Sequence, residues 1–338
     1  LLSLSSKKEE ELSFIDIAAI VNELKELIGS RLQKIYHLDK EIYLFFYHPR
    51  LGERILRITS RVIHLTQYKR EFPTYPSHFC MFLRKYIRNS ILTKITQPKL
   101  ERIVELELQK EKKFILIAEL FSKGNFILCD DRYEILFPLE IQRWKDRTLA
   151  PKRRYEYPPG KNLEEMDEVG FGRRIKLSSS SDVVRALAKE IGVGGKYAKE
   201  ICLRAGVKKE KVPKELSMEE IGKLFLTFKQ ILESARGGKI EARVVSRRGE
   251  IVDVLPFPFK TYENLPQQSF PTFSQVLDHL FAKVKGARIE EERKLRVEVD
   301  RLKEIARRQR SYIEELERKS KDYREKGERI YQNLDLIE

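Results

Sequence analysis

The sequence predicts an α+β protein in three parts: a β-rich first domain over residues 13–175, a helical second domain over 178–268 with an appended β-hairpin, and the first helix of a long coiled-coil arm over 272–338. Three observations predict it. Short runs of period-two alternation, separated by turn residues, fill much of 40–66 and 103–129. Two helical stripes meet at a glycine-rich break, Gly192-Val193-Gly194-Gly195. From Leu295 apolar residues recur at heptad spacing, with Val299, Ala306, Ile313 and Leu334 at a and Leu295, Leu302, Leu316, Tyr323, Ile330 and Ile337 at d.

In chain order, Phe14 to Ile28 carries a helical stripe ended by Gly29, and Leu32 to Tyr36 begins a strand. Alternating strands then continue to residue 66, broken at His48-Pro49-Arg50-Leu51-Gly52. A helix is expected from Phe79 to Ile91. Phe79, Leu83, Tyr86 and Ile87 share one face and Arg84, Lys85 and Arg88 another, which mounts a cationic surface on a buried support. From Leu100, residues Ile103, Glu105 and Glu107 alternate with Arg102, Val104 and Leu106, a half-buried strand opening on the acid–base pair Glu101-Arg102. Phe114–Phe121 and Phe126–Cys129 follow as strands, with Lys123-Gly124-Asn125 as their hairpin turn, and Arg153 to Gly160 ends the domain with turn chemistry.

Ser178 to Asp182 is an N-cap cluster opening the helical domain. Val184, Leu187, Ala188 and Ile191 before the glycines, with Tyr197, Ala198 and Ile201 after them, match a helix-hairpin-helix pattern. The N–H groups of Gly192, Gly194 and Gly195, with Lys196, can receive a phosphate at such a turn. A plain helical hairpin that needs glycine for positive φ fits the same residues, and both readings stay open. Glu241 to Val254, centred on Arg247-Arg248-Gly249, is the appended hairpin, and Pro256, Pro258 and Pro266 mark a boundary after it. The heptad seam is interrupted by Gln309, Ser320 and Gly327.

Composition narrows the function. The 338 residues carry a net charge of +15 and 35% charged side chains. Such an excess of cations favours a polyanionic partner, since each phosphate neutralised releases counterions; an anionic membrane attracts the same surface. Cys80, Cys129 and Cys202 each sit in an apolar pattern, as buried reduced thiols do, and His37, His48, His64, His78 and His279 are scattered, so neither a disulfide framework nor a metal site is expected. There is no apolar run near 18 residues and no signal-peptide pattern, which places the chain in the cytoplasm without a membrane partner. Gly192 to Lys196 lacks the spacing and the Ser or Thr of a phosphate-binding NTPase loop. Asp130-Asp131-Arg132 reads as a solvated turn and Trp144 as a packing residue ahead of a base-stacking platform. No cofactor is implied, and binding is favoured over catalysis. The abundance of Lys, Glu and Arg points to a thermophilic, archaeal source.

The run Phe79-Cys80-Met81-Phe82-Leu83-Arg84-Lys85, followed by Arg102 inside Leu-Glu-Arg-Ile-Val, resembles the N-terminal half of the NFACT family. Phe14-Ile15-Asp16-Ile17, Phe121 to Leu128 and Phe273 to Asp278 extend the likeness over nearly the whole chain. The resemblance implies a first domain similar to that of the formamidopyrimidine glycosylases, and a noncatalytic ribosome quality-control factor. Such a factor binds the large ribosomal subunit and tRNA to tail stalled nascent chains. Family members carry an Asp-Arg pair where this chain has Glu101-Arg102, and an Asp where it has Asp16; with Arg84, Lys85 and Lys123 these form the expected tRNA-binding set. Two other classes are kept. A glycosylase-like DNA-binding protein would need an N-terminal proline nucleophile and zinc-finger cysteines, whereas the chain opens Leu1-Leu2-Ser3; an adhesin-like protein is the activity behind the family's older, fibronectin-binding name. In the family the arm returns and a further domain follows, so the chain is expected to be a fragment whose unpaired seam self-associates or frays in solution.

Overall fold

The computed structural model describes residues 11–68 and 71–332, with the side chains of 282–297 set aside. Its centre is a nine-stranded antiparallel sheet in the order β4-β3-β2-β1-β5-β6-β7-β8-β9. These strands are β1 Arg31–Leu38, β2 Glu41–His48, β3 Gly52–Ile58, β4 Ile63–Thr66, β5 Ile91–Thr96, β6 Ile103–Gln109, β7 Lys113–Glu119, β8 Asn125–Asp130 and β9 Ile135–Pro138. Two halves meet at a single registered pair, Arg31 with Ile91. The turn after β7 packs against the turn after β3. A Cβ on Gly124, whose φ is +70°, would lie 2.4 Å from the Cβ of Ser60, so this turn accepts no side chain.

The helix α1 (Phe14–Leu24) is buried almost all round, from Phe14 through Val21. It packs on β4 and β5 and, on its other side, on the helix α6 (Met218–Gly237). An all-round apolar helix is a core element, and this one joins the sheet to the helical region across the boundary expected near residue 176. Residues up to Leu280 accordingly form one compact unit, and a second begins at Phe281.

The helix α2 (His78–Ile87) is capped by Ser77 and buries Phe79, Cys80, Leu83 and Ile87, as its stripe requires. It ends four residues before the expected Ile91. Asn89 takes a φ of +68° and turns the chain directly into β5. The alternation in Ile91–Thr96 is masked by an irregularity between Leu92 and Lys94, which shifts one residue out of register with β6. β6 itself is not half-buried, because Ile103 to Leu106 are all inaccessible. The covering layer is a returning segment whose Tyr133, Tyr155 and Tyr157 pack over Ile103, Ile115 and Ile117.

Two residues of β10 (Gln142–Arg143) pair with β11 (Thr148–Leu149) in a small ribbon before the helices begin. Among these, α3 (Glu168–Lys176) packs on α6, and α4 (Val183–Ala186) runs through a π-helical turn, Leu187–Ile191, to the glycine break. Gly192 at φ +87° and Gly194 at φ +79° reverse the chain into α5 (Gly195–Ala205). The expected hairpin is β12 (Arg243–Arg247) with β13 (Glu250–Leu255), and a third strand, β14 (Gln267–Ser269), adds to β12. The proline-bearing stretch between them is packed: Phe257 and Phe259 are buried and flank the ring of Tyr197. Finally α7 (Phe273–Gln332) is one continuous helix. In its second-unit part Val299, Leu302, Ile313, Leu316, Tyr323 and Ile330 are exposed, and Glu304–Arg308, Glu315–Lys319 and Asp322–Lys326 form i,i+4 pairs. The seam residues Leu295, Leu334 and Ile337 lie outside the described side chains.

Candidate nucleic-acid interface

Asp16 is the N3 residue of α1, and with Ser13 it closes a capping box. Its Oδ2 accepts from the Ser13 N–H at 3.0 Å and the Ser13 hydroxyl at 2.8 Å, while Asp16 N–H donates to Ser13 Oγ at 3.1 Å. Its Oδ1 accepts from the Tyr197 hydroxyl at 2.8 Å and pairs with Lys196 Nζ at 3.1 Å. The side chain is 1% exposed. Its oxygens are engaged within the fold, where Asp16 positions α1 against α5. Burial, with Asp16 beside it, pushes the Tyr197 hydroxyl far above the ordinary tyrosine range, which keeps it a neutral donor.

Lys196 is engaged in the same way. Besides Asp16 it faces Asp253 at 3.6 Å and donates to the carbonyl of Val254 at 3.0 Å, so its ammonium is a strut between α1, α5 and β13. In the glycine turn, the Gly192 N–H is bonded to the carbonyl of Leu187. Gly194 caps α5 with no side-chain hydrogen bond.

Glu101 and Arg102 lie immediately before β6 and do not pair with each other. The Glu101 carboxylate sits over Gly160, where a Cβ would meet its Oε1 at 2.5 Å, and it accepts a long 3.4 Å bond from the Lys161 N–H. Lys161 in turn reaches the carbonyl of Lys189 and lies beside Gly192; burial lowers its pKa. Arg102 makes an ion pair with Glu11, and its side chain remains 33% exposed. Gln97 ties this corner to α1, donating to the carbonyls of Phe14 at 2.8 Å and Glu101 at 2.9 Å. Three segments far apart in sequence therefore converge: the start of α1, the Glu101-Arg102 turn and the glycine hairpin. Gln97 and Lys161, which hold them together, carry no sequence signal, since one amide and one lysine outside any repeat look like ordinary surface residues.

The remaining expected cations divide. Lys123 is exposed in the turn after β7, at the end of the β6–β7 pair where Arg102 lies, since the Leu120 N–H donates to the carbonyl of Arg102 at 2.8 Å. Arg84 and Lys85 lie elsewhere, on α2. Arg84 donates through Nε at 2.9 Å and Nη2 at 2.7 Å to the carbonyl of Ile35 and covers the Tyr36 ring at 5.2 Å. It thereby clamps α2 to β1. Lys85 is exposed, over Tyr86. Trp144, expected as a packing residue, is 47% exposed.

The buried titratable groups are sealed. Glu105 accepts from Tyr157 at 2.5 Å and Tyr133 at 3.0 Å, and burial raises its pKa. Glu119 is held bidentately by Arg147 at 2.7 and 3.0 Å and by Tyr155 at 2.9 Å. All three thiols are buried, and burial pushes Cys202 up to about 12, which makes it a poor nucleophile at neutral pH. Among the described residues no cluster of His, Cys, Asp and Glu could hold a metal, and no helix is long and apolar enough to cross a membrane.

Comparison with known proteins agrees with this architecture. The family described as NFACT N-terminal and middle domains matches residues 13–338. The chain is 33% identical over 346 residues to the archaeal Rqc2 homolog of Methanocaldococcus jannaschii, covering 98% of this chain and 51% of the relative. It is 25% identical over 355 residues to the human ribosome quality control complex subunit NEMF, covering 96% of this chain and 33% of the relative. The chain thus spans about half the length of the first relative and a third of the second. Its mixed helix-and-sheet fold is shared with the N-terminal part of the fibronectin/fibrinogen-binding protein from Streptococcus suis, with a TM-score of 0.62 at 22% identity over 81% of this chain and all of that one. With the family pattern running from Ser13 to Glu338, the chain belongs to the NFACT family.

Proposed function

We propose that this chain is the RNA-gripping body of a ribosome quality-control factor. It holds tRNA at the corner formed by Glu101, Arg102 and the glycine hairpin, docks on the large ribosomal subunit in the cytoplasm, and supports C-terminal tailing of stalled nascent chains. The observation that carries this reading is the convergence of those three segments in a chain whose relatives are named for ribosome quality control. A carboxylate accepts from base or ribose donors and Arg clamps phosphate, so Glu101 and Arg102 together supply selectivity within an electrostatic grip. The start of α5, acting as the second helix of a helix-hairpin-helix unit, adds a phosphate contact.

The role is noncatalytic. The sealed state of Glu105, Glu119 and the three thiols supports that, because each is held by packing rather than presented to a substrate. The exposed stripe of α7 serves as one strand of a coiled coil, paired with a helix of the same kind or a second copy.

The purified chain should shift unfractionated tRNA in a salt-sensitive manner and leave lesion-bearing duplex DNA uncut. Glu101→Gln should compress its preference among tRNAs. Strand scission would favour the glycosylase class, and capture of fibronectin without tRNA binding the adhesin class; either result overturns the proposal.

A further inference from the structure

The turn after β7 and the β10–β11 ribbon border a half-open pocket of about 250 Å³ whose lining includes Phe121, Ser122, Lys123, Gln142, Arg143 and Trp144. We propose that this pocket takes one unpaired nucleobase of an RNA strand, stacked on the Trp144 ring, with the adjoining phosphates on Lys123 and Arg143. The proposal rests on the RNA-binding role above and adds a base site to it.

The ring is mounted on a built support. The guanidinium of Arg147 lies over both rings, 4.5 Å from the Trp144 ring centre and 5.9 Å from that of Phe121. Arg147 is itself 8% exposed and locked by Glu119, whose carboxylate also receives the Tyr155 hydroxyl. The backbone at Trp144 is held by its main-chain N–H, which donates to the carbonyl of Arg147 at 2.9 Å. An indole whose support is immobile, yet which stays half exposed, is ordered for contact at low entropic cost.

The lining chemistry selects the occupant. Lys123 and Arg143 are exposed, and neither closes an ion pair among the described residues. Glu119 reaches the pocket wall, but with Arg147 on both oxygens it does not repel an anion. The volume falls below the roughly 300–1,000 Å³ typical of sites that enclose a whole drug-sized ligand. It suits one planar ring with its charged flanks left outside, which is the shape of a base in a single-stranded segment. Registry places it within reach of the same strand that meets Arg102, since Ile103 pairs with Glu119 and Leu120 bonds to Arg102.

Trp144 is the only tryptophan in the sequence, so tryptophan emission, excited at the red edge where the 14 tyrosines do not absorb, reports on this site alone. Labelled unfractionated tRNA is titrated with the whole chain, following label anisotropy and tryptophan emission in the same samples, with polyphosphate and polyglutamate as base-free polyanions. The expected result is saturable quenching by tRNA that tracks the anisotropy, with neither polyanion quenching. Trp144→Ala should weaken tRNA binding roughly tenfold with an unchanged salt slope, and Trp144→Phe should recover most of the loss. Binding of tRNA with unaltered emission and full affinity in Trp144→Ala overturns the pocket and leaves the RNA-binding role standing. Quenching by polyglutamate equal to that by tRNA assigns the pocket to acidic peptides and also overturns it. Absence of any anisotropy change overturns both.

Discussion

Arg84 on α2 and Arg102 before β6 carry the same guanidinium and do different work. Arg84 gives two N–H bonds to the carbonyl of Ile35 and lies on the Tyr36 ring, so its charge is consumed inside the unit. Arg102 has one exposed partner, Glu11, and remains one-third open. The same division separates Asp16 and Lys196, locked between α1 and α5, from Lys123 and Arg143 at the rim of the Trp144 pocket. Charges of the first kind hold the fold and those of the second kind are free to meet phosphate. The two kinds should therefore separate in experiment, one set moving stability and the other moving binding.

The largest effect falls on Asp16, which is 1% exposed. Asp16→Ala takes one buried acceptor from the Tyr197 hydroxyl and one partner from the Lys196 ammonium and removes the α1 capping box, a loss of about 3–5 kcal/mol in urea unfolding. If Asp16→Ala instead folds at full stability and loses tRNA selectivity, Asp16 belongs with the reachable group. Arg84→Ala should cost about 1.5–3 kcal/mol, by removing a charged donor pair from a buried carbonyl, with tRNA affinity unchanged. A weakened complex with normal unfolding would reverse its assignment.

Acid supplies a third test. His64 is wholly buried beside Asp278 and Arg57, and burial lowers its pKa below 6.5. As pH falls through 6.5 the unfolded chain takes up a proton that the folded one refuses, so this histidine's contribution to stability declines below that pH. The slope reaches at most about 1.4 kcal/mol per pH unit for one proton. Glu23 and Glu105, whose pKa values burial raises, act in the opposite sense at lower pH. The informative quantity is therefore the slope difference between the parent and His64→Gln from pH 7 to 5.5. Parallel slopes would mean that the folded protein accommodates the charged ring.

The smallest changes in stability belong to the exposed cations. Arg102→Ala and Lys85→Ala should both unfold within about 0.5 kcal/mol of the parent. Arg102→Ala should reduce the slope of log affinity against log salt by about 1, whereas Lys85→Ala, on α2, should leave it unchanged. Equal losses in the two variants would mean that the grip extends over α2.

The sequence exposed the division only in part. Strands β2, β3, β7 and β8 were legible because turn residues bracket clear apolar runs, and α1 because its stripe and cap agree. β5 was hidden by its irregularity opposite β6, and β14 by its polar composition, Gln-Gln-Ser. The residues of the corner were legible as types, but their commitments were not. Nothing local to Asp16 reveals Tyr197, 181 positions away, and nothing near Trp144 reveals that a carboxylate 28 positions upstream of Arg147 fixes its support. Partnership across the fold decides whether a charge is available, and it is set by topology rather than by spacing.

The central claim is that RNA meets the corner around Arg102 and not the clamp on α2. Photocrosslinking of tRNA carrying 4-thiouridine at unpaired positions, followed by mass spectrometry of the linked peptides, tests it directly. The expected crosslinks fall on residues 101–102, 121–124 and 142–144. Crosslinks confined to 78–88, or distributed evenly over the cationic surface, would contradict the account.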